Sequence, residues 1–234
     1  MATKPNPLLC ELHAHTTWSD GALSLRALVD LYGRRGFDVL AVTDHAPREP
    51  RQIQAANYDA YRAAVEAEAE RAKRLYRLLV IPGLELTYDD PDPAESAHAV
   101  AVGLRAYVDV ADGVEEMLRA ARAHGAALAA AHPYPLADAA TSHRRTARFA
   151  VDRERLAPLV DRYELFNRET LFGWVAEAGL PTVANGDFHR PEHLGGWKTM
   201  LPCPKEEEAV VDYLRSPRPA YLVRLDSRPQ LQAA

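Results

Sequence analysis

The sequence predicts an α/β fold, a closed or nearly closed barrel of parallel strands with helices between them. Short apolar or β-branched runs alternate with longer helix-like stretches, the order that builds βαβ units. About seven such steps fit into 234 residues, a length usual for one α/β barrel. The chain also holds nine histidines. Most stand at or near the C-terminal ends of predicted strands, the face on which such barrels build active sites.

The elements follow in order. A strand at 8–13 leads to a helix at 23–34, with Ser24, Ser19 or Asp20 as its start signal and Gly36 after its end. A strand at 39–43, a helix at 58–76 and strands at 79–84 and 98–104 come next. Asp112 can start a helix at 114–124; Gly125 ends it and a strand at 126–131 follows. The series closes with a strand at 163–166, a helix at 169–178 before Gly179, a strand at 182–185, a helix at 205–214 and a run at 220–225. Proline breaks at 47–50, 91–93 and 133–135 come after candidate strands and read as mouth loops. Residues 1–234 are expected to form one domain, with 226–234 a loose tail.

Composition narrows the function. With 28 Lys plus Arg against 33 Asp plus Glu, the net charge is −5, which argues against a partner such as long duplex DNA. No run approaches the roughly 18 apolar residues of a membrane helix, and no leader is recognisable at the N-terminus. Cys10 and Cys203 cannot make a disulfide framework or a thiolate zinc site. A cytoplasmic location is the expectation.

The chemistry-bearing phrases are short. His13-Ala14-His15 places two imidazoles at i and i+2, on one side of an extended chain, and Asp20 stands in the loop beyond. Thr43-Asp44-His45 and Gly83-Leu84-Glu85 each end a strand. His98 opens one, His132-Pro133 follows a run of alanines, and Asp187-Phe188-His189 is a second i, i+2 pair. Taken singly, each is an ordinary surface or hydrogen-bonded residue. Together they are nitrogen and carboxylate ligands without thiolate, a set that suits Zn²⁺, Mn²⁺ or Fe²⁺.

These phrases resemble, in order and over most of the chain, the motif set of the PHP (polymerase and histidinol phosphatase) superfamily. Tyr163-Glu164-Leu165-Phe166-Asn167 and Gly186-Asp187-Phe188-His189 resemble its later strands. The resemblance implies a distorted (β/α)7 barrel of TIM-like type, with a metal site of two to three divalent ions (Zn, Mn or Fe) at its C-terminal mouth. His13, His15, Glu85 and Asp187 would hold one ion. Glu85 would bridge to a second, taken by His98 and His132, and Asp20, His45 and His189 would hold the third. Some members carry His at the Asp20 position. Asp44 would orient a ligand or the strand end. The implied activity is phosphoester hydrolysis by a metal-bridging hydroxide, with Asp187 as proton acceptor.

Arg168, after a predicted strand, and Arg144 and Arg145, in the long connection after His132, are candidates for gripping phosphate oxygens. Arg190, His193 and Lys198 are weaker ones. His124 sits at a helix end, where it favours the dipole. Trp18 and Trp197 either stack on a base or sugar or simply pack. The leading reading is a hydrolase of a small phosphomonoester or short nucleotide. An exonuclease on short oligonucleotides and a non-catalytic, regulatory metal-binding domain are the alternatives. Amide hydrolysis lacks its expected catalytic lysine phrase.

Overall fold

The computed structural model describes residues 6–46, 52–139 and 146–226. Its strands are β1 (Leu8–Glu11), β2 (Val39–Val42), β3 (His45–Ala46), β4 (Leu79–Tyr88), β5 (Ala97–Val102), β6 (Ala127–Ala131), β7 (Arg162–Asn167), β8 (Thr170–Leu171), β9 (Thr182–Asn185), β10 (Gly196–Leu201) and β11 (Tyr221–Leu225). Its α-helices are α1 (Leu25–Arg34), α2 (Tyr58–Tyr76), α3 (Val114–Ala123), α4 (Leu136–Ala139), α5 (Arg148–Val151), α6 (Arg153–Leu156), α7 (Gly173–Glu177) and α8 (Glu207–Arg215). Among the described residues no helix is long and apolar enough to cross a membrane.

The strands form a mixed sheet in the order β11-β10-β1-β2-β4-β5-β6-β7-β8, with β3 paired to β4 and β9 to β7. The sheet curls. Beyond β9 the chain returns to the continuation of β1, where His15 N–H donates to Phe188 O and Phe188 N–H to His13 O at 2.8 and 3.0 Å.

Consecutive strand residues go to opposite cores, as a period of two requires. Cys10, Val39, Ala41, Ile81, Val100, Ala127, Ala129 and Val183 fill the concave side, closed by Val210, Val211 and Leu214 of α8. Leu40, Val42, Val80, Leu84, Ala99, Leu128 and Ala130 pack outward against Leu28, Tyr32, Tyr61, Val65 and Leu118 of α1 to α3. Ser24 caps α1, its hydroxyl accepting from Ala27 N–H.

Two departures from the predicted all-parallel barrel matter. β5 runs antiparallel to both β4 and β6. Only eight residues, 89–96, join β4 to β5, and a parallel crossover takes a dozen or more. Reversal puts the start of β5 beside the ends of its neighbours, Thr87 opposite His98 and His98 opposite Ala131. A histidine that opens its strand therefore faces the same mouth as those that end theirs. The second departure is β10, not predicted as a strand, which pairs antiparallel with β1 and β11. Its sequence GWKTML carries no apolar–polar alternation, because even its lysine is buried.

Smaller differences have local causes. β4 continues to Tyr88, so Glu85 lies within a strand, opposite His45. The predicted helix at 169–178 shrinks to α7, because Arg168 turns at φ +56 and Thr170–Leu171 folds back on β7.

The guanidinium of Arg162 is buried, with no carboxylate at ion-pair distance among the described residues. That group donates instead to four carbonyls at the end of α8 and beyond: Leu214, Tyr213, Ser216 and Arg218, at 2.6 to 3.0 Å. Arg162→Met leaves these acceptors unsatisfied and is expected to cost roughly 3 kcal/mol. Urea denaturation measures it; a loss below about 1 kcal/mol would show that water replaces the guanidinium.

Candidate metal centre

The six histidines of the motif phrases, with Asp20, Glu85 and Asp187, converge at the mouth of the sheet. His13 Nε2 and His15 Nε2 lie 3.2 and 3.3 Å from Glu85 Oε2, and 3.6 and 3.4 Å from Asp187 Oδ1. Ligand bonds of about 2.1 Å in a tetrahedral array put donor atoms roughly 3.4 Å apart. Glu85 Oε1 lies 3.0 Å from His132 Nε2 and 3.1 Å from His98 Nδ1. Asp20 meets His45 Nε2 at 3.6 Å and His189 Nε2 at 3.2 Å. Three compact donor groups result: His13, His15 and Asp187; His13, Glu85 and His132; and His15, Asp20, His45 and His189. His98 stands beside the second of these.

Proton bookkeeping fits cation binding. His13 Nδ1 faces Glu164 Oε1 at 2.9 Å, so it carries the proton and Nε2 presents its lone pair. Thr146 Oγ1 donates to His132 O and so accepts from His132 Nδ1; Thr87 does the same between Glu85 O and His45 Nδ1. His189 Nδ1 faces Asp187 O, and His98 Nε2 faces Asp89 Oδ1 at 2.9 Å. Five imidazoles thus have one nitrogen assigned to an oxygen acceptor and the other turned to the donor groups. His13 Nε2, both nitrogens of His15 and Glu85 Oε2 are buried with no hydrogen-bond partner among the described residues. Buried polar atoms are seldom left so, and a divalent ion is the partner this donor set fits.

Charge is strongly coupled here. Burial, reinforced by the charge of His45, pushes His15 down to about 3. Burial also opposes charge on His98 and His189, but Asp89 and Glu85 raise the first, and Asp187 and Asp20 the second, to about 9. Burial raises Glu85, yet His45 and His13 hold it well below the usual carboxylate range.

The backbone is strained at the same place. Of the four non-glycine residues with positive φ among the described residues, three line the cavity at this mouth: His132 (+30°), Arg168 (+56°) and Asp187 (+44°). Such conformations persist only where the surroundings enforce them, and they gather at functional sites. Asp44 holds the loop carrying Asp20, accepting from Thr16 N–H and Oγ1 at 2.8 Å and from Ser19 Oγ at 2.6 Å.

The cavity measures about 830 Å³ and is also lined by Arg190, His193, Asp89 and Asp90. Arg168 Nη2 donates to Asp187 O at 2.8 Å. Arg144 and Arg145 lie outside the described residues. Lys198 is not at the mouth; it is enclosed against Glu11. Trp18 packs edge-on to Tyr61 and Trp197 stacks on Phe166, so both are packing residues.

Glu164 is the functional residue that motif reading passed over. Fully buried, it accepts from His13 Nδ1 and Asn185 Nδ2 on one oxygen, and from His132 N–H and Asn167 Nδ2 on the other. It thereby ties histidines of two donor groups to one anion. An acid inside the apolar strand Tyr-Glu-Leu-Phe was the available signal.

Residues 11–107 match the family model of the PHP domain, a stretch that includes His13, His15, Asp20, His45, Glu85 and His98. Over 100 residues the chain is 33% identical to the DNA polymerase/3'-5' exonuclease PolX of Bacillus subtilis. That alignment covers 39% of this chain and 17% of PolX. A two-domain protein of Bacteroides vulgatus, containing a predicted PHP-like metal-dependent phosphoesterase, superposes with a TM-score of 0.71 at 19% identity, over 95% of this chain and 66% of that one. An amidohydrolase of Chromobacterium violaceum with bound sulfate gives 0.51 at 15% identity, over 92% and 97%. At those identities the structural likeness is one of fold. The stretch matched by the PHP-domain model carries its motif residues in order, and the fold around it is similar to that of the PHP-like protein.

Proposed function

We propose that the protein is a metal-dependent phosphoesterase acting on a small phosphomonoester or short nucleotide. The observation that carries this reading is the meeting of three donor groups around Glu85 and Asp187, with guanidinium groups lining the same cavity.

In this reading His13, His15, Glu85 and Asp187 hold one ion, Glu85, His98 and His132 a second, and Asp20, His45 and His189 a third. Divalent ions so held supply a water acidified for attack near neutral pH and positive charge facing the phosphoryl oxygens. Glu85 turns one oxygen to each of two neighbouring groups and so sets their separation. Arg168 and Arg190 bind non-bridging phosphate oxygens, for which a guanidinium offers paired donors. Asp187, whose Oδ2 lies 3.4 Å from Arg168 Nη2, takes the proton of the attacking water.

A second reading, trimming of short oligonucleotides from an end, is favoured by the alignment with PolX. The two are separated by metal analysis combined with a phosphate-release screen over phosphomonoesters, mononucleotides and dinucleotides with Mn²⁺ or Zn²⁺. Two to three ions per chain, with release from phosphomonoesters or mononucleotides, is the expected result. Cleavage confined to dinucleotides and longer substrates selects the second reading. Bound ions with no release from any class point to a non-catalytic metal domain, and failure to bind any ion overturns the centre itself.

A further inference from the structure

Glu11 and Lys198 are both fully enclosed, yet neither belongs to the compact donor groups or lines the cavity. Lys198 Nζ stands 2.7 Å from Glu11 Oε2. The same oxygen accepts from the Tyr32 hydroxyl at 3.1 Å. Glu11 Oε1 accepts from two backbone amides, Gly186 at 2.8 Å and His13 at 3.3 Å. One carboxylate thus holds the backbone of a metal-donor histidine and of the residue before Asp187. Asp187 itself has φ +44° and needs its surroundings to keep it there. Gly186 approaches so closely that a Cβ would overlap Lys198 Nζ and Glu11 Oε2.

A buried ion pair is a poor source of stability. Desolvation of the two charges offsets their attraction, and an apolar pair of similar volume often serves as well or better. An apolar pair cannot accept two amides, however. We propose that Glu11 and Lys198 are a positioning pair for the metal centre. Lys198 fixes the direction of the Glu11 carboxylate, and Glu11 fixes His13 and the Gly186–Asp187 turn so that their donors face one ion. Tyr32 ties the pair to α1, and Lys198 ties it to β10. The inference rests on the metallocentre reading given above.

The test is calorimetric titration of Mn²⁺ into the full chain stripped of metal, together with its melting temperature. The variants are Glu11→Met/Lys198→Met, which leaves no charge unpaired and removes the acceptor of both amides, and Gly186→Ala, which displaces the pair but keeps every charge. The double variant is expected to melt near the wild type and still bind Mn²⁺ about 10- to 100-fold more weakly, the usual effect of losing a group that orients ligands. Gly186→Ala should weaken binding over the same range. Wild-type affinity in the double variant, or in Gly186→Ala, overturns the positioning role. A wild-type chain that takes up no Mn²⁺ overturns the metallocentre and this inference with it; equal uptake by all three proteins overturns this inference alone.

Discussion

Glu85→Gln is expected to remove most bound metal and to lower turnover about a thousandfold, equivalent to roughly 4 kcal/mol of lost transition-state stabilisation. The reason is the number of groups that one carboxylate serves. Its Oε2 lies 3.0 to 3.3 Å from nitrogens of His13, His15 and His45, and its Oε1 within 3.1 Å of His98 and His132. Glutamine keeps the shape but halves the acceptor capacity. Whichever way it is turned, its amide nitrogen points a donor at imidazole nitrogens that must themselves be lone-pair donors to a cation. Metal content by mass spectrometry and phosphate release under saturating Mn²⁺ check this together. Glu85→Asp keeps the charge and should retain part of both. A glutamine variant with a full metal complement and turnover within tenfold of wild type would mean that Glu85 does not join the two donor groups.

What could be read from the sequence was whatever depends on short spacing. His13 with His15, and Asp187 with His189, announce themselves because alternate residues of an extended chain share a side. Glu85 and His132 were visible because an apolar run ends near each. His98 was harder, since its place at the mouth depends on β5 running backwards, a fact set by the eight-residue link before it. Lys198 stands away from the mouth for a related reason. It follows the Asp187–His189 phrase closely in sequence and so looked available to substrate, but β10 carries it back along β1 into the interior. Glu164 meets His13 across 151 positions. No local pattern encodes that contact; only the curl of the sheet brings the two strands together.

Divalent-ion binding should release about two to three protons per chain at neutral pH and should abolish the protein's loss of stability in alkali. The protons come from His98, His189 and His13; against the opposing effect of burial, Glu85, Asp187 and Glu164 raise His13 well above the ordinary histidine value. Stripped of metal, the folded chain holds protons on His98 and His189 up to about pH 9, whereas the unfolded chain releases them near the ordinary histidine value of about 6.5. The stabilisation from these two groups is therefore complete below about pH 6.5 and is lost as pH rises through 9. His15 acts in the opposite sense. Its folded value of about 3 means that acid favours the unfolded chain from about 6.5 downward. Metal-free protein should accordingly melt highest near pH 6.5, and lower at pH 9 and at pH 4.5. With Mn²⁺ bound, His98 and His189 are already neutral, the alkaline loss disappears, and the gap between loaded and chelated melting temperatures widens toward pH 9. Scanning fluorimetry with and without chelator gives the melting curves. Titration at pH 7.5 in two buffers of different ionisation enthalpy counts the protons. A chelated protein whose melting temperature is flat from pH 6.5 to 9.5, with binding heats independent of buffer, would show that these imidazoles are neutral before any metal arrives.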